Sequence, residues 1–244
     1  LIQGYAGAMS ITGTDKENPV KSGIPIADLG AGLYAVIGIL SAIQSREKND
    51  SGEHVDISML DTQVSLLTYM ATMHFLSGEN PEPIGNQHMN HVPFNSYRTS
   101  DGFIQIGVVA EDFWPSLIEA LDLRQLDTEE NKVRIGRLKN RENIDEALQE
   151  VFITNTTEHW LKILQEHRVP CGPINTLSET FEDADLLKRN MIVEVLQDNG
   201  TSVKMPGNPV KISNHDEEFR RSPKLGEHTA EIFKNWLNKD ISVD

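Results

Sequence analysis

The chain has 244 residues, 38% of them hydrophobic and 24% charged, an ordinary globular composition with length enough to bury a sizeable core. Its 37 acidic residues outnumber the 22 Lys and Arg for a net charge of −15, so its field repels phosphate backbones and no nucleic-acid partner is expected. The single cysteine, Cys171, excludes an internal disulfide, and the eight histidines are scattered without metal-ligand spacing, so no metal site is expected. A lone cysteine also points to a reducing compartment. The expected location is the cytoplasm, and an organelle such as the mitochondrion or peroxisome is compatible with it.

Taken in chain order, the run Ile24 to Ile43 is about as long as a membrane span (~20 residues). Pro25 and Asp28 interrupt it, leaving 15 unbroken residues from Leu29 to Ile43. That pattern predicts a helix over Gly30–Ser45, apolar nearly all round and buried in a soluble core, with no membrane partner. Its small residues, Ala31, Ala35, Gly38 and Ala42, would let a neighbouring backbone approach closely. "HVDISML" alternates Val55, Ile57 and Met59 on one side, the period of a strand. Asp61 to Leu76 predicts a second apolar helix.

The composition then changes to "SGENPEPIGNQHMNHVPFN", rich in Pro, Gly and Asn, which predicts a linker and a domain boundary. "GFIQIGVVA" predicts a strand, and "DFWPSLIEAL", "NIDEALQEVF" and "TTEHWLKILQEH" predict amphipathic helices. The last of these would open on Asn155 with Glu158 three residues on. The basic stretch Lys132 to Arg141, flanked by acids, reads as a solvated helix face. "VPCGPI" breaks the helical pattern, "MIVEVLQDNGTSVKM" predicts a hairpin with Asn199-Gly200 as a two-residue turn, and "LGEHTAEIFKNWL" predicts a final helix. The outline is an α/β architecture with three parts. Residues 1–78 form a segment of a large domain, 79–175 an inserted small α+β domain, and 176–244 the return to the large domain.

Two places could carry chemistry. Asp28 stands between an extended stretch and a glycine-containing helix start. It can cap the helix, contributing about 1 kcal/mol, or act as a carboxylate nucleophile. In the second role Gly30 and Gly32 would clear space beside it and the helix N-terminus would stabilise its charge. The loop "GNQHMN", Gly85 to Asn90, offers a flexible glycine and the side-chain amides of Asn86, Gln87 and Asn90 as donors for an oxyanion or carboxylate, with Gly85, Asn86, Gln87 and His88 as the substrate-binding candidates, or is simply a polar interdomain loop. His91 before Val92-Pro93-Phe94 reads as structural, and Cys171 between Pro170 and Gly172 as a packed turn residue. Glu227 in "LGEHT" reads as a first-turn acid favouring the terminal helix dipole.

These segments together resemble the family III CoA-transferases. The resemblance runs through "GAMSITGTDKENPVKSGIPIADLGAGLYAVIGILSAI", "SGEHVDISMLD", "HVPFNSYRTSDGFIQIGV", "VPCGPINTLSETFED", "MIVEV" and "LGEHT", in order over nearly the whole chain. It implies a Rossmann-like large domain with an inserted small α+β domain, and an interlocked homodimer. It places the family's catalytic aspartate, in "PIADLGAGL", on Asp28. The implied activity transfers CoA from an acyl-CoA thioester to a carboxylic acid through an aspartyl-CoA intermediate, with the CoA thioester as substrate and no permanently bound cofactor. Relatives cover that intermediate with a glycine-rich loop, and "IGNQHMNHVPF" is the matching region with one glycine. The chain opens at Leu1 inside an apolar stretch and is expected to lack the usual N-terminal part. Two alternatives stand beside transfer: an α-methylacyl-CoA racemase-like enzyme of the same fold, and an inactive fragment needing a partner chain.

Overall fold

The computed structural model describes residues 1–239 and divides into two units, residues 1–174 and those from Asn175 onward. In the first unit a short helix α1 (Ile2–Tyr5) and a 3-10 turn at Ala8–Ile11 precede the long helix α2 (Ile26–Asn49). α2 starts four residues earlier and ends four later than Gly30–Ser45. Asp50 closes it in the left-handed conformation, its N–H bonded to the Arg46 carbonyl at 2.8 Å.

Helix α3 (Met59–Ser65) packs across α2, and the glycines explain how closely. A Cβ added at Gly30 would lie 2.9 Å from Thr62 Cγ2, and one at Gly38 2.8 Å from Val55 Cγ1. The covered side of α2 is thus its small-residue side, with Ala31, Ala35, Gly38 and Ala42 half-buried. The large residues Leu29, Leu33, Val36, Ile37, Ile39 and Leu40 point away, each 51–67% exposed. The expected burial on every side is therefore not met within this chain. By length and composition alone α2 could also cross a membrane, but one of its sides is packed on the segment Val55–Leu66.

"HVDISML" forms no strand: residues 51–58 are unpaired and lead into Ser58, whose Oγ accepts the Asp61 N–H and caps α3. Alternation becomes a strand only when a neighbour supplies hydrogen bonds, and here Val55 packs on Gly38 instead. The predicted second helix is broken as well. α3 ends at Ser65 and α4 (Tyr69–Ser77) restarts after Thr68, whose φ of 51° is unusual for a β-branched residue.

Strands β1 (Phe94–Arg98), β2 (Phe103–Gly107) and β3 (Cys171–Pro173) form an antiparallel sheet in that order. β2 is the strand expected in "GFIQIGVVA", and β3 stands where "VPCGPI" was expected only to break the chain. In β2, Ile104 and Ile106 face the core while Phe103 and Gln105 face out, the period-two division of a half-buried strand. Tyr97 pairs with Ile104 and Cys171 with Ile106.

Helices α5 (Phe113–Leu121), α6 (Arg134–Lys139), α7 (Arg141–Phe152) and α8 (Thr157–Glu166) complete this region. Ile144, Leu148 and Phe152, four residues apart on α7, are fully buried with Trp114, Leu117 and Leu164. Trp160 meets Phe152 edge-on at 5.6 Å and donates its indole N–H to the Phe152 carbonyl at 2.9 Å. α8 is capped by Thr156 rather than Asn155, the Thr156 hydroxyl accepting the His159 N–H.

The second unit holds α9 (Leu177–Glu182), α10 (Ala184–Lys188), the hairpin β4 (Ile192–Leu196) and β5 (Ser202–Pro206), and α11 (Thr229–Leu237). Thr176 and Glu179 form a reciprocal capping box on α9. The hairpin turn is longer than the predicted Asn199-Gly200 pair. Gly200 N–H bonds the Gln197 carbonyl at 3.0 Å and Gln197 N–H the Thr201 carbonyl at 2.8 Å, so Asp198, Asn199 and Gly200 make the loop. Asn199 uses its side chain to accept from Thr201, and only Gly200, at φ 80°, takes the left-handed position.

Candidate active site

Asp28 is the third residue of α2, not its cap. Pro25 holds the N-cap position, where it makes no side-chain hydrogen bond, and its ring fixes φ near −76°. The Asp28 side chain is exposed and, among the described residues, takes part in no hydrogen bond or ion pair. It lines a cleft of about 500 Å³ with Leu1, Gln3, Lys21, Ala27 and Met59. Three elements meet there: α1, the first turn of α2 and the start of α3. The Gln3 side-chain carbonyl accepts the Ser22 N–H at 2.9 Å and ties the approach to α2 onto α1. Of the two glycines expected to clear space beside Asp28, Gly30 instead admits Thr62 and Leu66 of the α3 region. Gly32 faces open space.

The second candidate lies elsewhere. Gly85, at φ 63°, donates its N–H to the Gly13 carbonyl at 2.7 Å. Asn86 Nδ2 donates to Ser96 Oγ at 2.6 Å. Gln87 donates to Asp145 at 3.3 Å and accepts from Arg141 at 3.4 Å. His88 Nδ1 accepts the Asn90 N–H at 3.0 Å, and its carbonyl accepts from Arg141 at 2.7 Å. None of Gly85, Asn86, Gln87 and His88 lines the Asp28 cleft, so the structure does not gather the two candidates into one site. The Asn86 and Gln87 amides expected as free donors are engaged within the chain, whereas Asn90 uses only its backbone N–H and carbonyl among the described residues.

What holds this loop is the basic stretch expected to be a solvated face. Arg134 donates to the Asn90 carbonyl at 3.1 Å, Arg137 to the Val92 carbonyl at 2.8 Å, and Arg141 to that of His88. Arg134 and Arg137, at i and i+3, share one face of α6, and Arg141 opens α7 after the non-helical Asn140, while carbonyls two residues apart lie along one side of an extended chain. Only the i, i+3 pair Arg134 and Arg137 was readable as a shared helix face; the place of Arg141 depends on the break at Asn140. Arg137 is buried and also donates to the Asn131 carbonyl and to Glu111. Burial opposes charge on Glu111, yet the Arg137 hydrogen bond and the Arg134 N–H hold its carboxyl below the usual range. Asp145 receives the buried Tyr97 hydroxyl at 2.5 Å, and burial, then the Asp145 charge, pushes that phenol up.

The remaining candidates lie in surroundings of their own. The His91 ring lies 4.7 Å from that of His88, tilted by 57°, and burial, then His88, Arg134 and Arg137, push its imidazole below the usual value. Burial pushes the Cys171 thiol up, which disfavours the thiolate a nucleophile requires. Glu227 precedes α11 rather than sitting in its first turn. Its carboxylate takes two Arg221 hydrogen bonds and the Lys224 N–H, which together hold its pKa at about 2. Among the described residues no group of three or more His, Cys, Asp or Glu could hold a metal ion.

Residues 1–229 match the family model of CoA-transferase family III. The chain is 30% identical over 242 residues to the human succinyl-CoA:glutarate CoA-transferase, covering 98% of this chain and 55% of that protein. It is also 30% identical to a succinyl-CoA:mesaconate CoA-transferase of Haloarcula hispanica, covering 95% and 59%. A crystal structure of a CaiB/BaiF family protein from Brucella suis superposes with a TM-score of 0.80 at 32% identity, over 95% of this chain and 60% of that one. The chain spans between half and three fifths of the length of these relatives. It has the α/β fold of that superfamily, and it belongs to CoA-transferase family III.

Proposed function

We propose that this protein transfers CoA between an acyl-CoA thioester and a carboxylic acid, with Asp28 as the covalent nucleophile. The observation that carries this reading is an unpartnered carboxylate at the mouth of a cleft, on the helix start of a family III chain. The Asp28 carboxylate attacks the thioester carbonyl, the C–S bond breaks, and CoA leaves as thiolate, giving a mixed anhydride. The thiolate then attacks the Asp28 carbonyl, releasing the first acid as its carboxylate and leaving an aspartyl-CoA thioester. The acceptor carboxylate attacks that thioester, CoA leaves again, and its return to the acceptor's carbonyl restores Asp28. Each step makes an oxyanion, and of the first-turn N–H groups of α2 those of Ile26 and Leu29 are taken by the Ile24 and Pro25 carbonyls, which leaves the Ala27 and Asp28 N–H groups as the donors proposed next to the reacting carboxylate.

The CoA thioester is the substrate and no resident cofactor takes part. The two curated relatives named above carry glutarate or mesaconate in their names, which supports a dicarboxylic acid as one substrate here. A homodimer in the cytoplasm is part of the same proposal, supported by the uncovered apolar side of α2 and by the lone cysteine.

Asp28→Asn is the test. Among the described residues the Asp28 side chain caps nothing and bonds nothing, so the variant is expected to keep its melting temperature within about 2 °C, while CoA transfer falls by roughly 1,000-fold or more. Hydroxylamine added to wild type with acyl-CoA should mark the Asp28 peptide with the hydroxamate mass. Transfer by Asp28→Asn near the wild-type rate would remove Asp28 from the chemistry. Exchange of an α-proton without CoA transfer would point to the racemase-like alternative.

A further inference from the structure

Lys21 carries the one cationic side chain among the residues that line the Asp28 cleft. Its ammonium makes a single hydrogen bond, 3.3 Å to the carbonyl of Ser22, and enters no ion pair among the described residues. The backbone beside it is held, because the Ser22 N–H is bound by Gln3 of α1. A lysine on an anchored backbone, with its charge unspent, faces the same cleft as the proposed nucleophile. Among the described residues the only other charged side chain lining that cleft is Asp28 itself.

An acid that reacts at Asp28 brings one carboxylate to the site of bond formation. If its far end is also a carboxylate, that second charge enters a cleft containing Asp28, in a chain of net charge −15. Like charges disfavour such binding unless a cation offsets them. Lysine suits the task, being a point charge on a four-carbon stem that reaches acceptors at several distances. We infer that Lys21 binds the remote carboxylate of a dicarboxylic substrate whose other carboxyl group reacts at Asp28, and so selects dicarboxylic over monocarboxylic acids. The inference rests on the CoA-transfer reading and names the substrate class of that same site.

The experiment uses this 244-residue chain as wild type, Lys21→Met and Lys21→Arg, with glutarate and its length-matched monocarboxylate, pentanoate, as acceptors. Lys21→Met is expected to lower kcat/KM for glutarate roughly tenfold or more, chiefly through KM, and to leave pentanoate unchanged. Lys21→Arg should retain most of the glutarate preference. Equal losses with both acids, or no loss with either, would overturn the assignment. So would a rise in KM for every acyl-CoA regardless of acid, because the ammonium would then hold a CoA phosphate. Calorimetric titration of glutarate alone into wild type and Lys21→Met gives a second readout that needs no turnover. A tenfold weakening in the variant supports the role, and equal affinities defeat it. Failure of wild type to transfer CoA to any acid defeats the transfer reading, whereas transfer with an unaltered acid preference in Lys21→Met defeats only the role of Lys21.

Discussion

Arg137 is 1% exposed, and every face of its guanidinium is occupied. It donates to the Val92 and Asn131 carbonyls and to Glu111, and lies 5.2 Å from the Trp114 ring centre. Removing it would leave two backbone carbonyls without their donor and Glu111 without its partner in a closely packed region. Arg137→Met is therefore expected to cost about 3 kcal/mol of stability, read as a lower urea midpoint at unchanged slope. Arg137→Lys should recover only part of it, since one ammonium cannot reach three acceptors in the fork geometry. A loss under ~1 kcal/mol in Arg137→Met would show that the loop Gly85–Val92 is held by its other contacts. The same residue sits in a run of basic side chains that by composition alone looks like a solvated surface. Charge counting could not separate Arg137 from Lys132 or Lys139, both exposed, because the difference lies in what packs over each one.

Helix α2 turns one small side to the chain and a large apolar side away from it, and its glycines differ accordingly. A methyl group at Gly30 would meet Thr62 Cγ2 at 2.9 Å and the Leu66 side chain at 3.0 Å, forcing α2 and the α3 region apart. A methyl group at Gly32 meets nothing within 4 Å. The two substitutions should move stability in opposite directions. Gly30→Ala is expected to destabilise by about 1–2 kcal/mol through overpacking. Gly32→Ala should stabilise by about 0.5–1 kcal/mol, because alanine loses less backbone entropy in a helix. Thermal melts of the two variants beside wild type check both, and a Gly30→Ala protein as stable as Gly32→Ala would contradict the close approach. At this scale the second apolar helix also divided into α3 and α4 at Thr68. Nothing in the run Asp61–Leu76 signals the break, as it contains neither Gly nor Pro.

For the whole molecule, the main feature is where the apolar surface lies. The buried core runs from Val92 to Val169 over β1, β2 and the helices α5, α7 and α8. Residues 1–78 bury little by comparison, and their longest helix shows six large aliphatic side chains at half exposure or more. Contiguous apolar surface of this kind is an association surface or an aggregation liability. A net charge of −15 opposes aggregation at random, which favours a defined assembly such as the proposed homodimer. The 244-residue chain at micromolar concentration is therefore expected to scatter light with a mass of at least twice 27.3 kDa. Leu33→Glu with Ile37→Glu, on one face of α2, should return it toward the monomer. A wild-type chain that runs as a monomer without binding a hydrophobic dye would show that this surface needs no cover.

The sequence by itself determined the elements whose signal is local. The 3.6-residue spacing of Ile144, Leu148 and Phe152 defines α7, the alternation through Ile104 and Ile106 defines β2, and "PIADLGAGL" marks Asp28 as the residue to test. Only the tertiary structure decided how those elements are used. It left "HVDISML" unpaired and made a three-residue strand of Cys171–Pro173, because a strand exists only when another segment supplies its hydrogen bonds. It put Asp28 inside the first turn of α2 and in one cleft with Lys21, a cleft that depends on α1 and the start of α3. It also turned three basic residues onto the carbonyls of His88, Asn90 and Val92. Periodicity tells which side of an element is apolar; which segment comes to cover that side, or to share a cleft with it, is settled by contacts between residues far apart in the chain.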